Sequence, residues 1–217
     1  MGIFVVGDVH GCLHTFLNLL DHWDPKSETL VQLGDLVDRG AFSPAVLQLA
    51  FELQMNFKKE VHFIRGNHEQ LMINYMKGED RLGLWLKNGG NKTQRQFEEA
   101  RIDPDNFSTW LTDLPLIWEN EHVQVTHAGF SGIGDPYDQK NTYGLLWNRQ
   151  PLINTGRLQI IGHTPRRDGI PLYNPDSNSW NIDTGAYGGV CLTAIRLEDD
   201  GTYIETISIP TEAIDLA

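Results

Sequence analysis

GDLVDRG at residues 34–40 closes the apolar run TLVQL at 29–33, and this pairing of a buried-strand pattern with a polar, glycine-flanked turn decides the fold. The same pairing recurs on either side of it. IFVV at 3–6 runs into GDVHG at 7–11, and VHFI at 61–64 runs into GNHE at 66–69. Each run reads as a strand, 3–7, 29–33 and 61–65, that delivers polar side chains at its carboxyl end. Helical segments are expected near 13–22 and 44–56, and a third from about 69. Strand and helix in alternation imply right-handed βαβ crossovers and a mostly parallel sheet. Pro44 suits a first helical turn with Ser43 as N-cap, and Val46, Leu47, Leu49, Ala50 and Leu53 share a helical face.

Beyond these motifs a polar, helical middle runs from about 69 to 113. It carries Trp85, Asn88-Gly89-Gly90 with Thr93, and the charged run 91–101, and it is expected to form a cap or side lobe over the sheet edge. From His122 the pattern changes to strands at 122–126, 159–162, 179–183, 190–197 and 202–209, with Asp199-Asp200-Gly201 as a hairpin turn. A second, more antiparallel sheet is the expectation. The whole reads as an α/β chain with two packed sheets and helices outside. With 217 residues, 40% of them hydrophobic, residues 1–217 suffice for one core and are taken as one domain.

The net charge of -12 argues against nucleic acid and anionic membrane as partners, because both need a basic field. An anionic substrate would have to find a locally cationic site. Two cysteines, Cys12 and Cys191, without a CxxC or a disulfide framework, suit a reducing compartment. No signal-peptide pattern and no apolar run of membrane-spanning length is evident, so a cytoplasmic location is expected.

Asp8 and His10 stand two apart at a strand end, where both can turn toward one point. Asp35 arrives from the next strand, and its two carboxylate oxygens can bridge two cations. Asn67 brings a neutral oxygen from the third. His127 in VTHAG and His163 in IIGHT each follow an apolar run. These residues give one cation Asp8, His10 and Asp35, and the other Asp35, Asn67, His127 and His163. Any one of them alone reads more readily as a helix cap or a core histidine; six in this order reverse that reading. Mixed imidazole and carboxylate ligands suit Mn, with Fe or Zn as the other fits, better than Mg or Ca. His14, His22, His62 and His122 lack this context and read as structural or exposed.

With these motifs the chain resembles the PPP-type metallophosphoesterases of the calcineurin-like superfamily, and most closely the small bacterial and phage-type serine/threonine protein phosphatases. The resemblance runs from Gly7 through the HTP segment at 163–165 to IDTGAYGG at 182–189. It implies a four-layer α/β/β/α sandwich of two mixed sheets flanked by helices, two divalent metal ions, and hydrolysis of a phosphorylated protein or peptide. A hydroxide held between two cations is a nucleophile at neutral pH. A serine or threonine alkoxide leaves poorly, so a proton donor should stand opposite. His68 is placed for that role, and Asp38 could hold its imidazole protonated and oriented, as the matching pair does in the family. Arg39 in the DRG turn is a phosphate clamp. Arg149 in LLWNR joins it by similarity to the WxR segment of phage-type enzymes, and Asn67 completes the substrate-binding group. Tyr187 departs from the longer loop of the eukaryotic enzymes.

The nearest alternative is a symmetrical dinucleoside tetraphosphate hydrolase, which shares GDxHG, GDxxxRG and GNH. In that lineage the position of Asp38 is typically not Asp, and GNH is followed by Asp rather than Glu69. A catalytically silent metal-binding scaffold is the remote reading, and no ligand or His68 is missing to favour it.

Overall fold

The structure, a computed structural model, describes residues 1–217. Strands β1 (Gly2–Val6), β2 (Glu28–Gln32) and β3 (Val61–Phe63) pair in parallel in that order, joined through α1 (Leu13–Leu20) and α2 (Ser43–Asn56). GDVHG, GDLVDRG and GNHE therefore all leave one carboxyl edge. Parallel strands covered on both faces bury nearly every side chain, and so the three runs lack polar alternation. In β1, Phe4 and Val6 enter a core with Phe16 and Leu19 of α1 and Leu47 of α2, whereas Ile3 and Val5 enter a second core with Val31 and Leu33. Truncating a side chain such as Phe4 would cost about 3–5 kcal/mol.

The second sheet has the order β4-β5-β6-β8-β7, built from Ile117–Glu119, Val123–Thr126, Leu158–Ile161, Leu172–Asn174 and Ser179–Asn181 as β4 to β8. Its centre, β5-β6-β8, is parallel, and only the edge strands β4 and β7 are antiparallel. Val123, Val125 and Ile160 face Ile3, Val5 and Val31 across the gap. Two mixed five-stranded sheets flanked by helices are thus the architecture that the motifs imply.

Two expectations about the second half need correction. The second sheet is not the more antiparallel one: each sheet has two parallel and two antiparallel pairings, because the crossovers into β6 and β8 return the chain in the direction of β5. The last two strands, β9 (Cys191–Leu197) and β10 (Tyr203–Pro210), do not extend the second sheet; β9 pairs antiparallel with β1, and β10 forms the edge beyond it. The reason is burial on both faces of β9. Leu192 and Ala194 join the helix-side core, while Ile195 and Leu197 join the inter-sheet core. Only a place inside the first sheet provides both. The hairpin at Asp199-Asp200-Gly201 forms where expected.

The polar middle extends the helical layer rather than capping the sheet edge. α4 (Asn91–Ala100) packs on α2, and α5 (Ser108–Asp113) packs on α3 (Asn67–Met76). Phe97, Phe107 and Leu111 anchor it in the helix-side core. α3 starts at Asn67, so Asn67 and His68 occupy its first turn. Ser43 opens α2 without capping it; its hydroxyl instead accepts the Asp38 N–H at 3.0 Å. Residues 127–157 contain no helix or strand and run over the outer face of the second sheet, where Thr155 bonds Gln124 and the Ile153 carbonyl bonds Gln159.

Candidate active site

Asp35 stands at the meeting point of the strand ends. One oxygen, Oδ2, lies 3.4 Å from His10 Nε2 and 4.0 Å from His68 Nε2; the other, Oδ1, lies 3.5 Å from His127 Nε2. The two oxygens therefore face two separate imidazole groups. Seven non-glycine residues have positive φ, and five of them are His10, Asp35, Asp38, Arg39 and His163. Such backbone is strained, of order 1–3 kcal/mol each, and such strain concentrates at functional sites. The turns after β1 and β2 hold their conformation because His10 N–H and Val9 N–H both donate to the Asp35 carbonyl.

The imidazoles are oriented by backbone carbonyls. His10 Nδ1 bonds the Val37 carbonyl and His127 Nδ1 bonds the Leu33 carbonyl, each at 2.9 Å, which leaves both Nε2 lone pairs aimed inward. Asn67 Oδ1 is 2.9 Å from both His127 Nε2 and His163 Nδ1, and those two nitrogens are 3.2 Å apart. Burial lowers the pKa of His10 and His127, and burial with the neighbouring His127 pushes His163 down to about 2. Neutral rings crowd lone pairs together with too few protons to share.

The carboxylates are crowded as well. Burial and then the charges of Asp183 and Asp35 raise Asp8 well above the usual carboxylate range. Burial also opposes ionisation of Asp35, but the imidazoles of His127, His68 and His10 outweigh it and hold that pKa far down. Asp8 Oδ2 accepts the His163 N–H at 3.1 Å, while buried Asp8 Oδ1 and His163 Nε2 have no hydrogen-bond partner. Unpaired buried acceptors and like charges are costly unless a cation compensates them. This donor set of carboxylate, imidazole and amide oxygen fits divalent metal ions. Two compact groups stand out, His10-Asp35-His68 and Asp35-His127-His163, with the ligand atoms of each within 4.8 Å of one another. His68 takes the place in the first group where Asp8 was expected.

His68 is poised differently from the other histidines. Its Nδ1 bonds Asp38 Oδ2 at 2.6 Å, and both side chains are buried. Burial pulls the His68 pKa down, but Asp35 and then Asp38 outweigh this and raise it above the usual histidine value. Arg39 donates to His10 Nε2 at 2.8 Å and to His68 Nε2 at 2.9 Å, and its guanidinium lies 4.3 Å above the Tyr187 ring. Tyr187 also meets the His10 ring edge-on. Arg149 is exposed on segment 127–157 and donates to Thr164 Oγ1 at 3.1 Å, one residue beyond His163. It lines a groove of about 290 Å³ with Gln150, Thr164, Asn174 and Asn181. The remaining histidines stay outside the centre; His14 bonds Asp215 and His62 bonds the Lys59 carbonyl.

Four contributors escaped sequence reasoning. Glu69 accepts the N–H groups of Asp35 and Gly66 on one oxygen and of Leu36 and Val37 on the other, tying the second motif to the third. Its position as third residue of a helix that starts after a glycine was the available signal. Asp183, buried beside Asp8 with a pKa raised to about 7 by burial, carries no motif spacing of its own. Trp85 and Thr93 both donate to Asp38, across 47 and 55 residues of sequence. Outside these four, Cys12 is buried against the His10 carbonyl, and burial pushes its thiol up to about 12.

Residues 1–189 match the family model of the calcineurin-like phosphoesterases. The chain belongs to that family. It is 32% identical over 210 residues to serine/threonine-protein phosphatase 1 of Salmonella typhimurium, covering 90% of this chain and 92% of that protein. It is also 27% identical over 241 residues to the asymmetrical bis(5'-nucleosyl)-tetraphosphatase PrpE of Bacillus thuringiensis, covering 95% and 93%. Among solved structures, a candidate diadenosine tetraphosphatase superposes with a TM-score of 0.71 at 21% identity, over 98% of this chain and 94% of that one. A Saccharomyces cerevisiae serine/threonine phosphatase superposes with a TM-score of 0.66 at 22% identity, over 98% and 80%. These superpositions establish the metallophosphoesterase fold. As a calcineurin-like phosphoesterase the chain is a hydrolase of a family that uses divalent metals, and none of its helices is long and apolar enough to cross a membrane.

Proposed function

We propose that this phosphoesterase is a serine/threonine phosphoprotein phosphatase with a dinuclear metal centre. The observation that carries the reading is the buried His68–Asp38 pair turned toward Asp35, because a positioned acid is needed for an alkoxide leaving group and not for an activated one. Asp8, His10 and Asp35 would hold one cation, and Asp35, Asn67, His127 and His163 the other. Bound Mn, or Fe or Zn, supplies a water acidified into the nucleophilic range and positive charge beside the phosphoryl oxygens.

The chain's own residues do the rest. Arg39 and Arg149 offer planar guanidinium forks to the phosphoryl oxygens, with Asn67 beside them. His10 Nε2 has one lone pair, which cannot serve Arg39 and a cation at once, and a protonated His68 Nε2 has none to offer, so Arg39 turns to substrate when His10 is a ligand and His68 carries its second proton. Asp38 keeps Nδ1 of His68 protonated, and Nε2 is the atom that hands a proton to the departing serine or threonine oxygen. The neutral amides and hydroxyl beside Arg149 suit a peptide backbone.

The second reading is a dinucleoside tetraphosphatase, supported by the similarity to PrpE, whose name specifies asymmetrical rather than symmetrical action. The two readings separate in a side-by-side measurement of kcat/KM at one Mn concentration. A phosphoserine or phosphothreonine peptide should exceed diadenosine tetraphosphate. A clear preference for the dinucleotide would transfer the enzyme to the second reading.

A further inference from the structure

Asp38 is held by more than the histidine it faces. Its Oδ2 accepts from His68 Nδ1 at 2.6 Å and from the Trp85 indole N–H at 3.1 Å, and its Oδ1 accepts from the Thr93 hydroxyl at 2.6 Å. Its N–H donates to Ser43 Oγ, which lies 3.3 Å from the same Thr93 hydroxyl. All of this is buried, with Trp85 2% and Thr93 0% exposed, and Asp38 itself sits at a φ of 74°.

The sequence between Trp85 and Thr93 is shaped for this contact. Gly89 adopts a φ of 115°, and a Cβ there would lie 3.0 Å from Asp38 Cβ. Gly90 lies under the indole, where a Cβ would fall 2.4 Å from the ring. The Asn88-Gly89-Gly90 turn thus lets one segment bring an indole to one oxygen of Asp38 and, from the first turn of α4, a hydroxyl to the other. With His68 alone as donor the carboxylate could rotate about its side-chain bonds and carry the imidazole with it. Donors on both oxygens fix its plane, and the placement of an acid within a fraction of an ångström governs its contribution.

We infer that Trp85 and Thr93 are positioning residues that brace Asp38 and, through it, His68, so that the 85–93 segment sets how well the enzyme handles poorly activated leaving groups. The inference rests on the acid role proposed for His68. It extends that role to a segment remote in sequence and gives the Asn-Gly-Gly turn a function in substrate range: alkyl phosphates need the brace, and aryl phosphates do not.

The test compares Thr93→Val, Thr93→Ser, Trp85→Phe and His68→Asn with the unaltered Mn-loaded enzyme on a phosphoserine peptide and on p-nitrophenyl phosphate. Thr93→Val and Trp85→Phe should each lower kcat on the peptide by about 10-fold or more, with KM and the aryl rate within about threefold and metal content unchanged. Thr93→Ser should retain the peptide rate. In metal-free protein, the NMR signal of the His68 Nδ1 proton should shift in Thr93→Val while that of His127 stays in place. Equal losses on both substrates in the two brace variants, or no loss on either, overturn the brace. A leaving-group effect in His68→Asn that neither brace variant shares overturns the brace alone. No leaving-group effect in His68→Asn overturns the acid role beneath it.

Discussion

His68 Nδ1 stands 2.6 Å from Asp38 Oδ2, with both side chains closed to solvent, and the charge of Asp35 together with this contact keeps on the imidazole a proton that burial would otherwise remove. A raised pKa means that His68 keeps its proton above the usual histidine range and loses it as pH rises through the shifted value. The kcat for a phosphoserine peptide should therefore fall along a basic limb above pH 6.5. Asp38→Asn removes a carboxylate that raises this pKa, so the limb should move to lower pH. A pH profile in which Asp38→Asn leaves the limb in place would remove Asp38 from the role.

Arg149→Ala should raise KM for phosphomonoesters and lower kcat, by about 10-fold in kcat/KM, with metal content as in the unaltered protein. Its side chain hydrogen-bonds Thr164 and none of the strand-end ligands, so its removal leaves the strand ends intact. Steady-state kinetics with metal analysis decide the point, and unchanged constants would place Arg149 outside substrate binding.

Asp215 at the far end of the chain accepts the N–H groups of His14 and Thr15 and the Thr15 hydroxyl, and so caps the first turn of α1. Burial opposes its ionisation, but the Thr15 and His14 hydrogen bonds outweigh it and lower its pKa. The stabilisation is then present above the unfolded carboxyl value near pH 4 and fades as pH falls through the folded one. Asp215→Ala should cost about 2 kcal/mol, or about 4–8 °C in Tm, at neutral pH. A difference that persists undiminished at pH 2 would contradict the capping account.

Cys12 adjoins His10 in sequence, yet burial raises its thiol to about 12 and its sulfur has no solvent exposure. A thiol in that state is inert at pH 8. Iodoacetamide should leave Cys12 unlabelled and activity unchanged in the folded protein, as read by peptide mass spectrometry. Rapid labelling of Cys12 with loss of activity would show an open site around the first motif.

Much of this centre is legible in the sequence, because strand ends announce themselves as apolar runs broken by Asp, His or Asn beside glycine. Asp8, Asp35, Asn67, His127 and His163 are singled out in that way, as are His68 and Asp38, and the fold brings these side chains together at one edge of the sheets. What escaped had no local pattern. The second-half strands look alike in sequence, and only the two-sided burial of Leu192, Ala194, Ile195 and Leu197 sends β9 beside β1. Trp85 and Thr93 lie in a polar middle that reads only as a cap or side lobe, and the turn between them, folded onto Asp38, is what brings both to the carboxylate. Glu69 accepts four backbone N–H groups; its place in the first turn of α3 signals the one from Gly66, and no spacing rule reveals the three from Asp35, Leu36 and Val37.

The central claim is that Asp35 joins two metal sites on which hydrolysis depends, and metal reconstitution tests it most directly. Chelator-treated protein is titrated with Mn while bound metal and phosphopeptide hydrolysis are followed together. The account predicts no hydrolysis without metal, recovery that completes at two ions per chain, and loss of both ions and activity in Asp35→Asn. Full activity in the metal-free protein, or an Asp35→Asn variant that binds two ions and turns over normally, would contradict it.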